Sequence, residues 1–300
     1  MKQIANGIWP TMITPYTKNN QVDYEQVEKL VDWYAQNGVT GIFAMCQSSE
    51  MYFLSEEERL ELIRFIIRVN RGRMDIAVAG TVSENLEQQI LFGQKAAELG
   101  PDAVVFLRNR LSDDFSGDIK KIMNEMPADM ALGMYECPYP FKRYLTDDEV
   151  YTIAETNRFV FLKDTVCDME VMRRRAEMVK GSSFQLYNAN AATFYESVRA
   201  GYHGYSGIMA NFHPDLYSWV YDHMDDPRAS LVEKFLGAMS VIECRGYPIC
   251  CKQYLARYEG FEMTDLCRSV QYQAVPALND ELRDIYALTE YVRREILHTK

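Results

Sequence analysis

Eight short apolar runs recur between residues 8 and 211, most of them followed by a longer amphipathic segment. This alternation limits what the chain can fold into more than any single residue does. The runs are IWPTMI (8–13), VTGIFAMC (39–46), MDIAVAG (74–80), DAVVFL (102–107), MALGMYE (130–136), RFVFLKDT (158–165), SFQLYN (183–188) and YSGIMAN (205–211). Between them lie segments such as YEQVEKLVDWYAQNG (24–38), SEEERLELIRFIIRV (55–69) and SENLEQQILFGQKAAELG (83–100), with apolar residues at helical spacing. Strands that are apolar throughout are buried on both faces, and helical crossovers make them parallel. Eight such units within about 220 residues predict an α/β fold, a closed (β/α)8 TIM barrel. An open doubly wound sheet is the rival, but no GxGxxG follows the first strand and no GxxxxGK[ST] occurs.

Local signals fix some helix ends. Ser55 followed by Glu58 forms a capping box, and Gly100 and Gly181 stand where helix-ending glycines belong. After residue 226 the segments SLVEKFLGAMSVIE, PICCKQYLARYEG and LNDELRDIYALTEYVRREI read as helices with no strand between them. The expected organisation is therefore a catalytic barrel over 1–226 and a helical extension over 227–300, with Cys250 and Cys251 in its core.

Charge and cysteine usage narrow the partners. With 43 acidic against 32 basic residues the net charge is −11, so the field repels polyanions and nucleic acid is not an expected partner. No apolar stretch is long enough to predict a membrane span. Seven cysteines without a CxxC pair predict reduced thiols, and the N-terminus shows no signal-peptide core, so a cytoplasmic protein is expected. Four scattered histidines offer no metal-ligand spacing, and no metal or cofactor is expected.

In a parallel barrel the chemistry gathers where strands end. Lys163 stands near the end of strand six, on the same side as Phe159 and Phe161, and an apolar enclosure there favours the neutral amine. A neutral amine adds to the carbonyl of a 2-oxo acid and forms an imine that accepts electrons from a neighbouring carbon–carbon bond. Tyr135 ends strand five, where its phenol can relay protons. Gln47, Ser48 and Ser49 follow strand two in a turn suited to a carboxylate, and Ser206 with Gly207 lies in strand eight. Each feature also has a plainer explanation: Lys163 paired with Asp164 or Glu136, Tyr135 simply packed, the loop an ordinary connection to the Ser55 cap.

Taken together, these residues resemble the dihydrodipicolinate synthase/N-acetylneuraminate lyase family of class I pyruvate aldolases over about residues 5–296. CQSSE resembles its GTTGE loop, YECP its Y-N-x-P, LKDT its K-E-A/T, and GYSGIMAN its eighth strand ending in Asn211. The resemblance implies that Lys163 is the Schiff-base lysine, Tyr135 the relay phenol, Gln47 and Ser48 the carboxylate-binding pair, and the protein a homo-oligomer, dimer or tetramer. Departures accompany it. Cys46 and Ser49 replace the loop glycines, and Gln47 replaces a relay hydroxyl. Leu107-Arg108 stands where the synthase branch has two tyrosines, one of them reaching a neighbouring subunit. Pro140 takes the place of an arginine of that branch, with Lys142 and Arg143 beyond. Arg108 and Arg110 are candidates for binding an acidic second substrate.

The expected activity is a lyase or aldolase acting on pyruvate or a larger 2-oxo acid. A 2-oxo sugar acid dehydratase or hydratase-aldolase using the same imine is an alternative. A small-molecule-binding homologue with weakened chemistry is another.

Overall fold

The computed structural model describes residues 3–269 and 275–297. Each apolar run supplies a strand: β1 (Gly7–Ile8), β2 (Gly41–Met45), β3 (Asp75–Val78), β4 (Ala103–Leu107), β5 (Leu132–Tyr135), β6 (Phe159–Asp164), β7 (Gln185–Asn188) and β8 (Gly204–Tyr205). All pair in parallel, in the order β1-β8-β7-β6-β5-β4-β3-β2. A bridge from Thr11 to Phe43 spans the remaining seam, where the Met12 and Phe43 N–H groups donate to Phe43 O and Pro10 O, each at 3.1 Å. The result is a nearly closed (β/α)8 barrel.

The helices are α1 (Tyr24–Gln36), α2 (Glu56–Asn70), α3 (Leu86–Ala97), α4 (Phe115–Glu125), α5 (Asp147–Ala154), α6 (Met169–Met178), α7 (Phe194–Arg199), α8 (Pro214–Asp222), α9 (Ala229–Met239), α10 (Ile249–Tyr258) and α11 (Leu278–Tyr291). The side chains of Asp23, Ser55, Asn85, Asp114, Thr146 and Asp168 accept first-turn N–H groups of α1 to α6, and Ser55 and Thr146 complete reciprocal boxes with Glu58 and Glu149.

The first and last strands are shorter than the runs that announced them. Pro10 has no N–H for a ladder, and beyond Tyr205 residues Ile208–Asn211 wind into a 3-10 turn. In the C-terminal part, the helix expected over 230–243 stops at Met239, and Ser240–Cys244 tightens into a second 3-10 turn. Gly204 is required where β8 meets β1, because a Cβ there would lie 1.9 Å from Gly7 O.

Aromatic rings fill the barrel below its C-terminal mouth. Trp9, Phe43, Phe161 and Tyr187 are fully buried, with neighbouring centroids 4.9–5.4 Å apart. Just above, a buried ion triad ties β5 and β6 to α6. Arg175 reaches Asp164 Oδ2 at 2.6 Å and Glu136 Oε1 at 2.8 Å, and donates to Leu145 O at 2.7 Å. Glu136 also accepts from Leu145 N (2.8 Å) and Thr165 N (3.0 Å), and Asp164 from Tyr202 Oη (2.6 Å) and Val166 N (2.8 Å). Burial works to lower Arg175, but the two carboxylates outweigh it and hold the guanidinium charged.

Removing one partner of such a cluster strands the others in a dry interior. Arg175→Ala is expected to lower the unfolding free energy by about 3–5 kcal/mol in a denaturant titration. A loss below about 1 kcal/mol, the scale of an exposed pair, would show that the triad does not organise this end of the barrel.

Candidate active site

The mouth of the barrel opens into a cavity of about 390 Å³ lined by Gln47, Ser48, Tyr135, Lys163, Thr165 and Glu243, among others. Its depth is set by strand register. Tyr135 is the partner of Lys163 across β5 and β6, and Tyr187 is the partner of Lys163 across β6 and β7, so amine and phenol stand at one level. Lys163 Nζ lies 4.8 Å from the Tyr135 ring centroid and 5.8 Å from that of Phe43.

The lysine is 5% exposed, and no carboxylate of the described residues forms an ion pair with it. The pairing with Asp164 or Glu136 that sequence left open does not occur, because Arg175 holds both. Burial lowers the Lys163 pKa; Cys46, Cys137 and Glu243 oppose it weakly. The two rings favour the ammonium by about 1–2 kcal/mol, less than the several kcal/mol that full burial can cost it. Desolvation outweighs the rings and shifts the balance toward the neutral amine. Burial pushes the Tyr135 phenol the other way, well above its usual value, so it stays protonated.

The loop after β2 is a compact turn, with Ser49 N–H donating to Cys46 O and Glu50 N–H to Gln47 O. Its Ser48 hydroxyl donates to Thr11 Oγ1 at 3.1 Å and lines the cavity with Gln47. Glu50, at φ +60°, anchors the turn from below: it pairs with Lys252 of α10 at 3.3 Å and accepts from Arg268 N and Ser269 N, both at 2.6 Å.

Other candidates from the sequence lie elsewhere. Ser49 Oγ sits under the turn, 2.7 Å from Met12 O and 3.1 Å from Cys46 N, so it shapes the loop and does not line the cavity. Ser206 is fully buried outside the lining. Arg108 is a correction to the expectation of a substrate-binding guanidinium: it is buried against Glu149 and over the Phe115 ring, outside the cavity lining. Arg110 pairs with Glu84 and stacks on Tyr52, and Arg143 pairs with Asp113. Among the described residues no arginine lines the cavity; Lys142 is the cation at its rim.

Sequence reading missed Tyr52, Ser240, Glu243 and Tyr247, all of them lining residues. The last three come from the segment after α9, where an acid inside an apolar helical pattern (SVIE) was the only hint. Burial raises Glu243 to about 7, with the charge of Lys163 acting in the opposite sense. The cavity thus holds an amine and an acid, each shifted toward its uncharged form.

The chain matches the model of the dihydrodipicolinate synthetase family over residues 4–284. A curated relative, the 4-hydroxy-tetrahydrodipicolinate synthase of Staphylococcus haemolyticus, is 27% identical over 226 residues, covering 74% of this chain and 76% of its own. Among solved structures, the chloride-inhibited dihydrodipicolinate synthase of Acinetobacter baumannii complexed with pyruvate superposes with a TM-score of 0.85 at 24% identity, covering 95% of this chain and 98% of that one. CdNal from Clostridium difficile, solved with mannosamine, gives 0.83 at 16% identity over 94% and 98%. At these identities the structural likeness speaks for the fold alone.

The elevated acid yields a prediction for stability. Because folding raises Glu243 from 4.5 to about 7, the cost of ionising it in place is small near pH 4.5, grows as pH rises, and is complete above about 7. Glu243→Gln should therefore stabilise the protein more at pH 8 than at pH 5, by about 1–2 kcal/mol once partial solvent access is discounted. Equal effects at both values, measured by chemical denaturation, would contradict the assignment.

Proposed function

The chain belongs to the dihydrodipicolinate synthetase family, enzymes of the lyase and aldolase kind, and on that footing we propose that Lys163 forms an imine with pyruvate or a larger 2-oxo acid. The observation that carries this is the register pair of Tyr135 and Lys163, with an unpaired, buried amine over an aromatic floor. The amine lone pair attacks the substrate C2 carbonyl, and Tyr135 protonates the resulting alkoxide. A second proton then lets water leave as the C=N bond forms. Ser48 and Gln47 hold the carboxylate, fixing C2 within reach of the amine. In the imine, the bond between C3 and C4 breaks with its electrons passing toward the positively charged nitrogen. A 4-hydroxyl group loses its proton and departs as an aldehyde carbonyl, and protonation of C3 followed by hydrolysis returns the amine.

The second substrate follows from the lining. A carboxylated partner is best held by a bidentate guanidinium, whereas this cavity offers Thr165, Asn190, Ser240, Glu243 and Tyr247. Hydroxyl groups of a neutral aldehyde suit these better, and dihydrodipicolinate synthesis suits them poorly. Glu243 also favours a second reading, loss of water from a hydroxylated 2-oxo acid imine, since an acid poised near 7 can take a proton from carbon or give one to a leaving hydroxyl.

Borohydride reduction in the presence of pyruvate, followed by peptide mass mapping, tests the proposal. The expected result is a reduced adduct on the Lys163 peptide and a loss of turnover of at least about 1,000-fold in Lys163→Met. A folded protein that traps no adduct would overturn the imine, while release of pyruvate and an aldehyde from a hydroxylated substrate, as opposed to water, separates cleavage from dehydration.

A further inference from the structure

The imine chemistry proposed above needs a proton path to Tyr135, and the loop cannot supply it as the resembled family does. Gln47 stands where that family has a hydroxyl, and an amide is a poor proton carrier. Nor does Leu107-Arg108 provide the phenol that reaches across subunits in the synthase branch.

Another path is built into the same chain. Cys137 lies two residues beyond Tyr135, close enough that its thiol and the Tyr135 phenol act on each other's ionisation. From Cys137 Sγ it is 3.6 Å to Tyr52 Oη, 3.6 Å to Gln47 Oε1 and 3.5 Å to Tyr139 O. Tyr52 Oη lies 3.0 Å from Tyr139 O, its ring packs on Tyr139 at 4.9 Å, and the ring lines the cavity beside Gln47. The segment is held in place from one side: Asn109 Nδ2 lies 2.7–2.9 Å from the carbonyls of Cys137, Tyr139 and Phe141. A thiol flanked by two phenols therefore sits on fixed backbone, with the outer phenol facing the mouth.

We propose that Tyr135, Cys137 and Tyr52 form a proton relay contained within one chain, in which Tyr135 exchanges protons with the reacting oxygen, Cys137 refills Tyr135, and Tyr52 connects the thiol to water at the mouth. Each transfer moves one proton and leaves the oxidation state of sulfur unchanged. When Tyr135 O–H protonates the alkoxide of the carbinolamine, Cys137 S–H passes its proton to Tyr135 Oη, Tyr52 O–H passes one to Cys137 Sγ, and water restores Tyr52. Burial keeps all three groups protonated between turnovers, so the relay starts loaded with donors. Long O–H···S contacts are weak, which suits groups that must exchange partners. Cys137 and Tyr52 act through Tyr135 and do not touch the substrate carbon.

The rate of imine formation tests this directly, read by rapid quenching of full-length protein and pyruvate into borohydride and weighing the intact chain. Cys137→Ala and Tyr52→Phe should each slow the approach to equilibrium by about 10- to 100-fold, while the final adduct fraction stays at the wild-type level, which also reports an intact fold and binding site. Cys137→Ser, which keeps a donor and acceptor at this position, should recover most of the rate. Tyr52→Phe added to Cys137→Ala should cost little more than Cys137→Ala alone, because a broken chain cannot be broken twice. Wild-type rates in both single variants, or a serine variant as slow as the alanine one, would overturn the relay with imine chemistry intact. A wild-type protein that forms no adduct would overturn the imine reading and the relay with it.

Discussion

Arg175 decides what Lys163 can be. Glu136 and Asp164 directly follow Tyr135 and Lys163 in sequence, and either could have neutralised the lysine. The guanidinium binds both at 2.6–2.8 Å, in a site where all three residues are at most 1% exposed. Its planar fork suits two carboxylates on adjacent strands as a point charge would not. Backbone N–H groups of Leu145, Thr165 and Val166 add to the carboxylate shells, so the ends of β5 and β6 are cross-linked one residue beyond Tyr135 and Lys163. Among the described residues no carboxylate pairs with the amine, which faces aromatic rings, and desolvation lowers its pKa.

A further buried carboxylate, Glu50, organises another part of the mouth. Glu50 joins the loop after β2 to Lys252 and to the backbone at 268–269. The C-terminal part is thereby fastened under the loop, while its 3-10 turn delivers Ser240 and Glu243 to the cavity. Barrel and C-terminal segment share one site. The strand ends present the amine of Lys163 and the phenol of Tyr135; the later segment adds Ser240, Glu243 and Tyr247.

Much of this was legible in the sequence because it depends on period and position. Apolar runs of the right length located all eight strands, and counting residues past them put Tyr135 and Lys163 at equal depth, as the ladder shows. What stayed hidden depends on side-chain direction or on contacts distant in sequence. Arg108 follows β4 directly, but the chain turns into a short 3-10 segment there and the guanidinium swings out to Glu149, 41 residues away. Ser49 belongs to the right loop, yet its hydroxyl is spent on the turn itself. Glu243 reaches the cavity only because its helix tightens after Met239, a change of pitch that no local composition announced. The partner of Glu50 lies 202 residues further on and could not be guessed from spacing.

The most direct measurement of the account is the ionisation of Lys163 itself. With lysine labelled at Nζ and its resonance assigned by Lys163→Arg, an NMR titration should show this amine losing its proton at lower pH than the exposed lysines, which set the reference near 10.4. An amine that titrates together with the exposed lysines, or above them, would mean that a counter-charge holds it as ammonium and that the nucleophile described here does not exist.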